Sequence, residues 1–307
     1  MKSRLKFIIP LGLVLVLAIL PKACDGERKE LTEAERAGKP GSFVTLPDGV
    51  VHFETAGPVA GSHILLVHGF STPYFIYDHV FAALVKAGFR VTRFDLYGRG
   101  FSDRPDVPYA PALFDRQLIG LLDHLGIKTT AIVGSSMGGL ITANFIRNHP
   151  ERVTKVALIA PAGFPMELPF NAKLGRAPLI GDYVVRAFGD RIFLGNNKSG
   201  FERMPDDFIE RFREQMQFRG FKRAILSSLR NMPLESGESI FVDVGKLKKP
   251  TLLLWSRQDG VLPFSNSERA LAAIPHAEFH PLEGTGHSPH YETPEKVIPL
   301  LLKFFEK

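Results

Sequence analysis

Gly134-Ser135-Ser136-Met137-Gly138 is the one Gly-x-Ser-x-Gly in the chain. It lies between an apolar strand pattern, Ala131 to Gly134, and a helix pattern that runs from Gly138 to Asn148. That context gives the motif chemical meaning. A sharp strand-to-helix turn drives its central side chain into a strained backbone region, and large neighbours would collide across the turn. Gly134 and Gly138 meet that need around Ser136, whereas Ser135 has no such bracket. Gly139 lets the helix lie close to the strand. A hydroxyl at a helix start also faces the end of the helix that favours an oxyanion. The chemistry expected of Ser136 is attack on a carbonyl, provided that a base takes its proton.

Ten histidines are available. His287 stands out because Gly284-Thr285-Gly286-His287-Ser288-Pro289 follows the last strand pattern and is stiffened by glycine and proline. Loops at strand ends are where such sheets carry reactive groups. His290 is the near rival; His68, His149, His276 and His280 read as turn or strand-end residues. An imidazole base needs an anion to fix its tautomer. Asp259, in Ser256-Arg257-Gln258-Asp259-Gly260 after the strand Thr251 to Trp255, is the candidate, with a solvated turn as its plain reading and Asp243 as a weaker alternative acid. His68-Gly69-Phe70 ends another buried strand, where the glycine allows a turn that aims the Phe70 N–H at the site. With the Met137 N–H this makes two oxyanion donors, each worth about 3 kcal/mol in a transition state. Otherwise it is an ordinary strand-end turn.

The elements that must position these groups are legible. Val50 to Ala56 alternates apolar and polar residues, as a half-buried antiparallel strand does. His63 to His68 carries a continuous apolar run, as a strand covered on both faces does. Asp78 to Ala87 is a short helix closed by Gly88, and Phe89 to Asp95 is the next strand. Over residues 111 to 125, Phe114, Leu118, Leu121, Leu122 and Leu125 share one helix face, and Gly126 ends it. Val153 to Ile159, Thr251 to Trp255 and Ala277 to Leu282 are further strands. A final helix starts at Thr293-Pro294-Glu295, with Thr as cap. Strands alternating with helices imply an α/β fold with a mostly parallel sheet covered on both sides. The rhythm breaks between about 161 and 235, where Phe- and Leu-rich sequence and helices near 205 to 218 and 220 to 231 form an insertion read as a lid.

The order Ser136, Asp259, His287 over nearly all of residues 43 to 307 resembles the α/β-hydrolase superfamily. Asp95-Leu96-Tyr97-Gly98-Arg99-Gly100-Phe101-Ser102 is a turn typical of that family, and Asn148-His149-Pro150-Glu151-Arg152-Val153 is a family-like helix-to-strand link. The body is similar to bacterial lid-bearing esterases, monoacylglycerol lipases and related C–C hydrolases. Serine at 136 sets it apart from the haloalkane dehalogenases and epoxide hydrolases, which use aspartate there. The resemblance implies an α/β-hydrolase core at 43–160 and 236–307, a helical cap at 161–235, and acyl transfer on a small-molecule ester with an apolar or lipid-like acyl group. It implies no metal or cofactor, and the chain is read as a monomer. A C–C bond hydrolase, another serine-hydrolase reaction and a non-catalytic binding scaffold stay open.

Four of the positive charges behind the net +6 are Lys2, Arg4, Lys6 and Lys22, ahead of Cys24 and offset by no acid. The rest is close to neutral, with no basic stripe interleaved with aromatics, so nucleic acid is not an expected partner. Met1 to Lys6 is a basic n-region, and Phe7 to Leu20 is an apolar stretch too short for an ordinary span. The sole cysteine follows in Pro21-Lys22-Ala23-Cys24-Asp25, which resembles a lipoprotein cleavage region although Pro21 and Lys22 depart from its small apolar pattern. Segment 1–23 therefore reads as a signal or membrane anchor, Cys24 as a lipidation candidate, and 24–42 as a polar tether. An uncleaved anchor and a cleaved soluble export stay open. The positive-inside bias puts the body across the membrane from the cytoplasm. Arg203, Arg211, Arg213, Arg219, Lys222 and Arg223 make the second half of the lid basic, either a solvated face or a contact for anionic lipid headgroups.

Overall fold

The computed structural model describes Ala23 and residues 25–198 and 200–306. The expected anchor segment, apart from Ala23, and the lipidation candidate Cys24 lie outside the described residues. Among the described residues no helix is long and apolar enough to cross a membrane.

One sheet organises the body. Its strands are β1 (Ser42–Leu46), β2 (Gly49–Ala56), β3 (His63–Val67), β4 (Arg90–Phe94), β5 (Thr130–Ser135), β6 (Val153–Ile159), β7 (Thr251–Ser256) and β8 (Glu278–Leu282). They lie in the order β1-β2-β4-β3-β5-β6-β7-β8. The β1–β2 and β2–β4 pairings are antiparallel, and all pairings from β4 to β8 are parallel. The helices are α1 (Glu33–Arg36), α2 (Asp78–Lys86), α3 (Pro111–His124), α4 (Met137–Asn148), α5 (Phe170–Arg176), α6 (Ile180–Lys198), α7 (Phe208–Met216), α8 (Phe221–Asn231), α9 (Glu238–Lys246), α10 (Asn266–Ala273), α11 (Pro289–Glu292) and α12 (Pro294–Glu306).

The continuous apolar runs arise because β3, β5 and β7 are buried along their whole length. Side chains alternate between two cores, as the two-residue strand period demands. Leu65, Val67, Ile132, Leu253 and Trp255 enter the core beneath α3, α4, α9 and α10. Ile64, Leu66, Val133, Leu252 and Leu254 enter the other, beneath α2 and α12. The edge strands β1 and β8 are mostly half-exposed, which is why their sequence signals are weaker. β1 has no counterpart among the strands read from the sequence.

Helices α5 to α8 lie between β6 and α9. Their basic residues are largely paired: Lys222 with Asp25 and Asp190, Arg211 with Asp78, Arg219 with Glu30 and Arg223 with Asp106. The stretch from residue 25 does not hang free. Arg28 and Lys29 N–H groups donate to Gln217 O at 2.9 and 3.0 Å, and Arg219 N–H donates to Lys29 O at 2.8 Å. The Glu27 carboxylate accepts from the Gly220 and Lys222 N–H groups at the start of α8. Polar residues that read as a tether thus satisfy orphan N–H groups and lysine charge on α8.

Candidate active site

The register places the chemistry. Val67 pairs with Gly134 and Ser135 with Ile159, so the ends of β3, β5 and β6 lie side by side. Ser136 sits between β5 and α4 with φ 55° and ψ −124°, a strained conformation for a residue with a Cβ. Its backbone is held by Ser136 N–H to Ile159 O at 2.9 Å and by Ala162 N–H to Ser136 O at 2.9 Å. The flanking glycines are required by space. A Cβ on Gly134 would lie 2.6 Å from Gly138 O, and one on Gly138 would lie 2.2 Å from Val67 O. Gly69 comes over Ser136 so closely that a Cβ on it would lie 3.2 Å from Ser136 Cβ.

His287 Nδ1 is 2.7 Å from Asp259 Oδ2, and the Asp259 side chain is wholly buried. The other oxygen of Asp259 accepts from the Val261 and Leu262 N–H groups at 2.8 Å each. Both carboxylate oxygens are therefore committed, and the His287 ring is fixed with Nδ1 as donor. Ser136 and His287 line one cavity of about 200 Å³, together with Gly69, Phe70 and His290. Met137 is the first residue of α4, where an N–H has no partner within its helix. The Phe70 N–H has no backbone acceptor among the described residues. The structure thus brings Ser136, His287, Phe70 and Met137 to one place, with Asp259 behind the histidine. Asp243 lies apart on α9, exposed and paired with Lys246 at 2.8 Å. His149 pairs with Asp115 at 2.9 Å and lies outside the cavity.

From sequence the turn from Asp95 to Ser102 reads as a shape and His68 as a strand-end residue. Both belong to a buried polar network under the Gly69–Phe70 loop. His68 Nε2 accepts from the Leu96 N–H at 2.9 Å and its Nδ1 donates to Gly69 O at 3.0 Å. Asp95 accepts from the Tyr74 and Phe101 N–H groups at 2.9 Å each and meets His52 Nδ1 at 2.7 Å. Burial alone would push the Asp95 carboxyl up, but the hydrogen bond and charge of His52 hold it below the usual range. Arg99 is fully buried and has no carboxylate partner among the described residues. Its guanidinium donates to Phe70 O at 2.8 Å, Tyr97 O at 3.1 Å and Ser228 Oγ on α8 at 2.9 Å. Burial lowers its pKa to about 9. Glu292 accepts from the Gly286 N–H at 2.7 Å and steadies the His287 loop. Thr293 donates to Thr285 Oγ1 at 2.9 Å, so it braces that loop as well as starting α12. The motif that contains Arg99 does not reveal its contacts with Phe70 and Ser228, and no local pattern marks Glu292.

Buried histidines predict an acid sensitivity. Burial lowers His63 and His68 from 6.5 to about 4, and burial with the neighbouring His287 lowers His290 to about 3. Each ring stays neutral when folded and takes a proton when unfolded below pH 6.5. The unfolded state then binds more protons, so stability falls as pH drops from 6.5 towards 4, by roughly 1 kcal/mol per pH unit per ring. Calorimetry across that window should show a falling Tm; a flat Tm would refute it.

Comparison with known proteins agrees with this fold. The profile of the Alpha/beta hydrolase family matches residues 64–300. An uncharacterised Mycobacterium tuberculosis protein is 28% identical over 301 residues, covering 90% of this chain and 86% of that protein. A 2-hydroxy-6-oxononadienedioate/2-hydroxy-6-oxononatrienedioate hydrolase of Comamonas testosteroni is 26% identical over 261 residues, covering 83% and 90%. An esterase from Exiguobacterium antarcticum superposes with a TM-score of 0.75 at 20% identity, over 87% of this chain and 100% of that one, a likeness of fold. With the sheet order, the strained serine turn and a family match across most of its length, the chain belongs to the α/β-hydrolase family.

Proposed function

We propose that the protein hydrolyses neutral carboxylic esters through an acyl-enzyme on Ser136. One observation carries this reading: Ser136, at its strained turn, and His287, bonded to a buried carboxylate, line the same cavity. Ser136 Oγ attacks the ester carbonyl while His287 Nε2 takes its proton. The oxyanion accepts from the Phe70 and Met137 N–H groups. His287 returns the proton to the departing alcohol. Water then attacks the acyl-enzyme, His287 takes its proton, and the acid leaves as Ser136 regains its hydrogen. A second cavity of about 90 Å³ shares Phe70 and Ser71 with the first and is walled by Phe193, Ile225, Leu226 and Leu229. Its apolar walls suit a short acyl chain.

A second reading, C–C bond hydrolysis on the same fold, is favoured by relatives named for 2-hydroxy-6-oxo acids. Those compounds carry carboxylates. No Lys or Arg is among the described residues lining the reaction cavity, and a carboxylate placed there would lose hydration without a cationic partner. That favours a neutral ester. Export or anchoring through the N-terminus, with a monomeric body on the far side of the membrane, belongs to the same proposal. The test is to assay p-nitrophenyl esters of rising chain length beside a 2-hydroxy-6-oxo-dienoate. Turnover of short esters with none of the dienoate is expected. The reverse preference would move the assignment to C–C hydrolysis, and neither turnover nor fluorophosphonate labelling would leave a binding scaffold.

A further inference from the structure

Phe70 lies between two peptide groups, and a buried side chain grips each. His68 Nδ1 donates to Gly69 O at 3.0 Å, the carbonyl of the peptide that carries the Phe70 N–H. No peptide bond among the described residues is cis, so that N–H points the opposite way from Gly69 O. Arg99 Nε donates to Phe70 O at 2.8 Å, the carbonyl of the next peptide. The hold must come from outside the loop, because Gly69 leaves its own backbone free to turn. A larger residue there is no remedy, since its Cβ would lie 3.2 Å from Ser136 Cβ and 3.7 Å from Ser136 Oγ.

The Arg99 grip has further arms. Its Nη1 donates to Tyr97 O at 3.1 Å and its Nη2 to Ser228 Oγ on α8 at 2.9 Å. Ser228 Oγ gives its own hydrogen to Ala224 O at 2.9 Å, one turn back along α8, which leaves its lone pairs to accept from Arg99. The guanidinium is fully buried and, among the described residues, bonds to uncharged acceptors alone. A buried cation without an anion is costly, and packing by itself gives no reason to keep one. A planar fork of five donors does suit three acceptors on three separate elements. Helix α8 also gives Ile225, Leu226 and Leu229 to the wall of the second cavity, which Phe70 shares.

We propose that Arg99 is a positioning residue for the oxyanion donor: it clamps the Phe70 peptide with one arm and helix α8 with another, so that the Phe70 N–H and the wall of the second cavity stay in register during attack. This rests on the ester-hydrolase reading above and names a residue which that reading does not use. The test needs p-nitrophenyl butyrate as substrate and butyl trifluoromethyl ketone as inhibitor. The ketone adds to a serine hydroxyl and places an oxyanion where that of the ester would form.

Arg99→Met, which keeps the stem and drops all three donors, should lower kcat by about 10²-fold, the lower end of what losing one oxyanion donor costs. KM should stay within about threefold, since the donor acts on the transition state, and ketone affinity should fall by the same factor as kcat/KM. Arg99→Lys, which keeps the charge and one bond, should recover about tenfold of the loss. Ser228→Ala should cost roughly threefold to tenfold in kcat. Rates are taken per active site titrated to completion with a fluorophosphonate, so that misfolded protein drops out. If Arg99→Met leaves no titratable sites, the same split of kcat from KM in Arg99→Lys decides. An Arg99→Met rate within about threefold of wild type, or a loss carried by KM with ketone affinity unmoved, would overturn the clamp and leave Arg99 a packing residue. A silent Ser228→Ala would overturn its α8 arm. A wild type that hydrolyses no ester yet binds the ketone, more weakly in Arg99→Met, would keep the clamp and discard the esterase reading; an active esterase indifferent to Arg99→Met would do the opposite.

Discussion

Ser136→Ala is expected to lower ester turnover by a factor of about 10⁴ to 10⁶ while leaving the protein folded. The fold should survive because the strain at φ 55° is carried by the backbone and by bonds that the substitution leaves intact. The Ser136 N–H still reaches Ile159 O, and Ser136 O still accepts from Ala162 N–H. The residual rate would come from the Phe70 and Met137 donors and from binding. The check is kcat beside the thermal midpoint for both proteins. Turnover within tenfold of wild type would exclude Ser136 as nucleophile. Lost activity with a collapsed midpoint would mean that the variant reports on folding instead, and fluorophosphonate labelling of the wild type at Ser136 would then decide.

Asp259→Asn is the second large effect, with an expected loss of about 10³ to 10⁴ in kcat and little change in KM. The side-chain oxygen of asparagine can still accept from the Val261 and Leu262 N–H groups, so the loop keeps its shape. Its NH₂ then faces His287 Nδ1, where a carboxylate oxygen stood at 2.7 Å. Two donors cannot share that bond, so Nδ1 becomes the acceptor and the proton moves to Nε2. The imidazole then has no lone pair for the Ser136 proton. A variant within tenfold of wild type would show that Asp259 does not set the tautomer. Asp243, exposed and paired with Lys246, offers no replacement.

Much of the site was readable because its requirements are local. The glycines around Ser136 are needed by contacts within a few residues of the turn and with the adjoining strand end, and Gly-x-Ser-x-Gly records them. Apolar runs marked β3, β5 and β7 because strands covered on both faces have no polar side to show. His287 and Asp259 were found by their positions after strand patterns. β1 was missed because an edge strand exposes one side and carries a mixed signal. The buried polar network was missed for a different reason. Arg99 reaches Ser228 and Phe70, and Asp95 reaches Tyr74 and His52, across separations that no short window covers.

By itself the sequence determined the sheet type, the nucleophile turn and the order of the three candidate catalytic residues, since steric demands within a turn and the periods of strand and helix leave their mark in adjacent residues. Only the tertiary structure decided which histidine meets the carboxylate, that residues 25–29 bind the turn between α7 and α8, and that Arg211, Arg219, Lys222 and Arg223 are paired with carboxylates. Each of those depends on distances between distant parts of the chain, and such distances are fixed by how the two cores pack against the sheet.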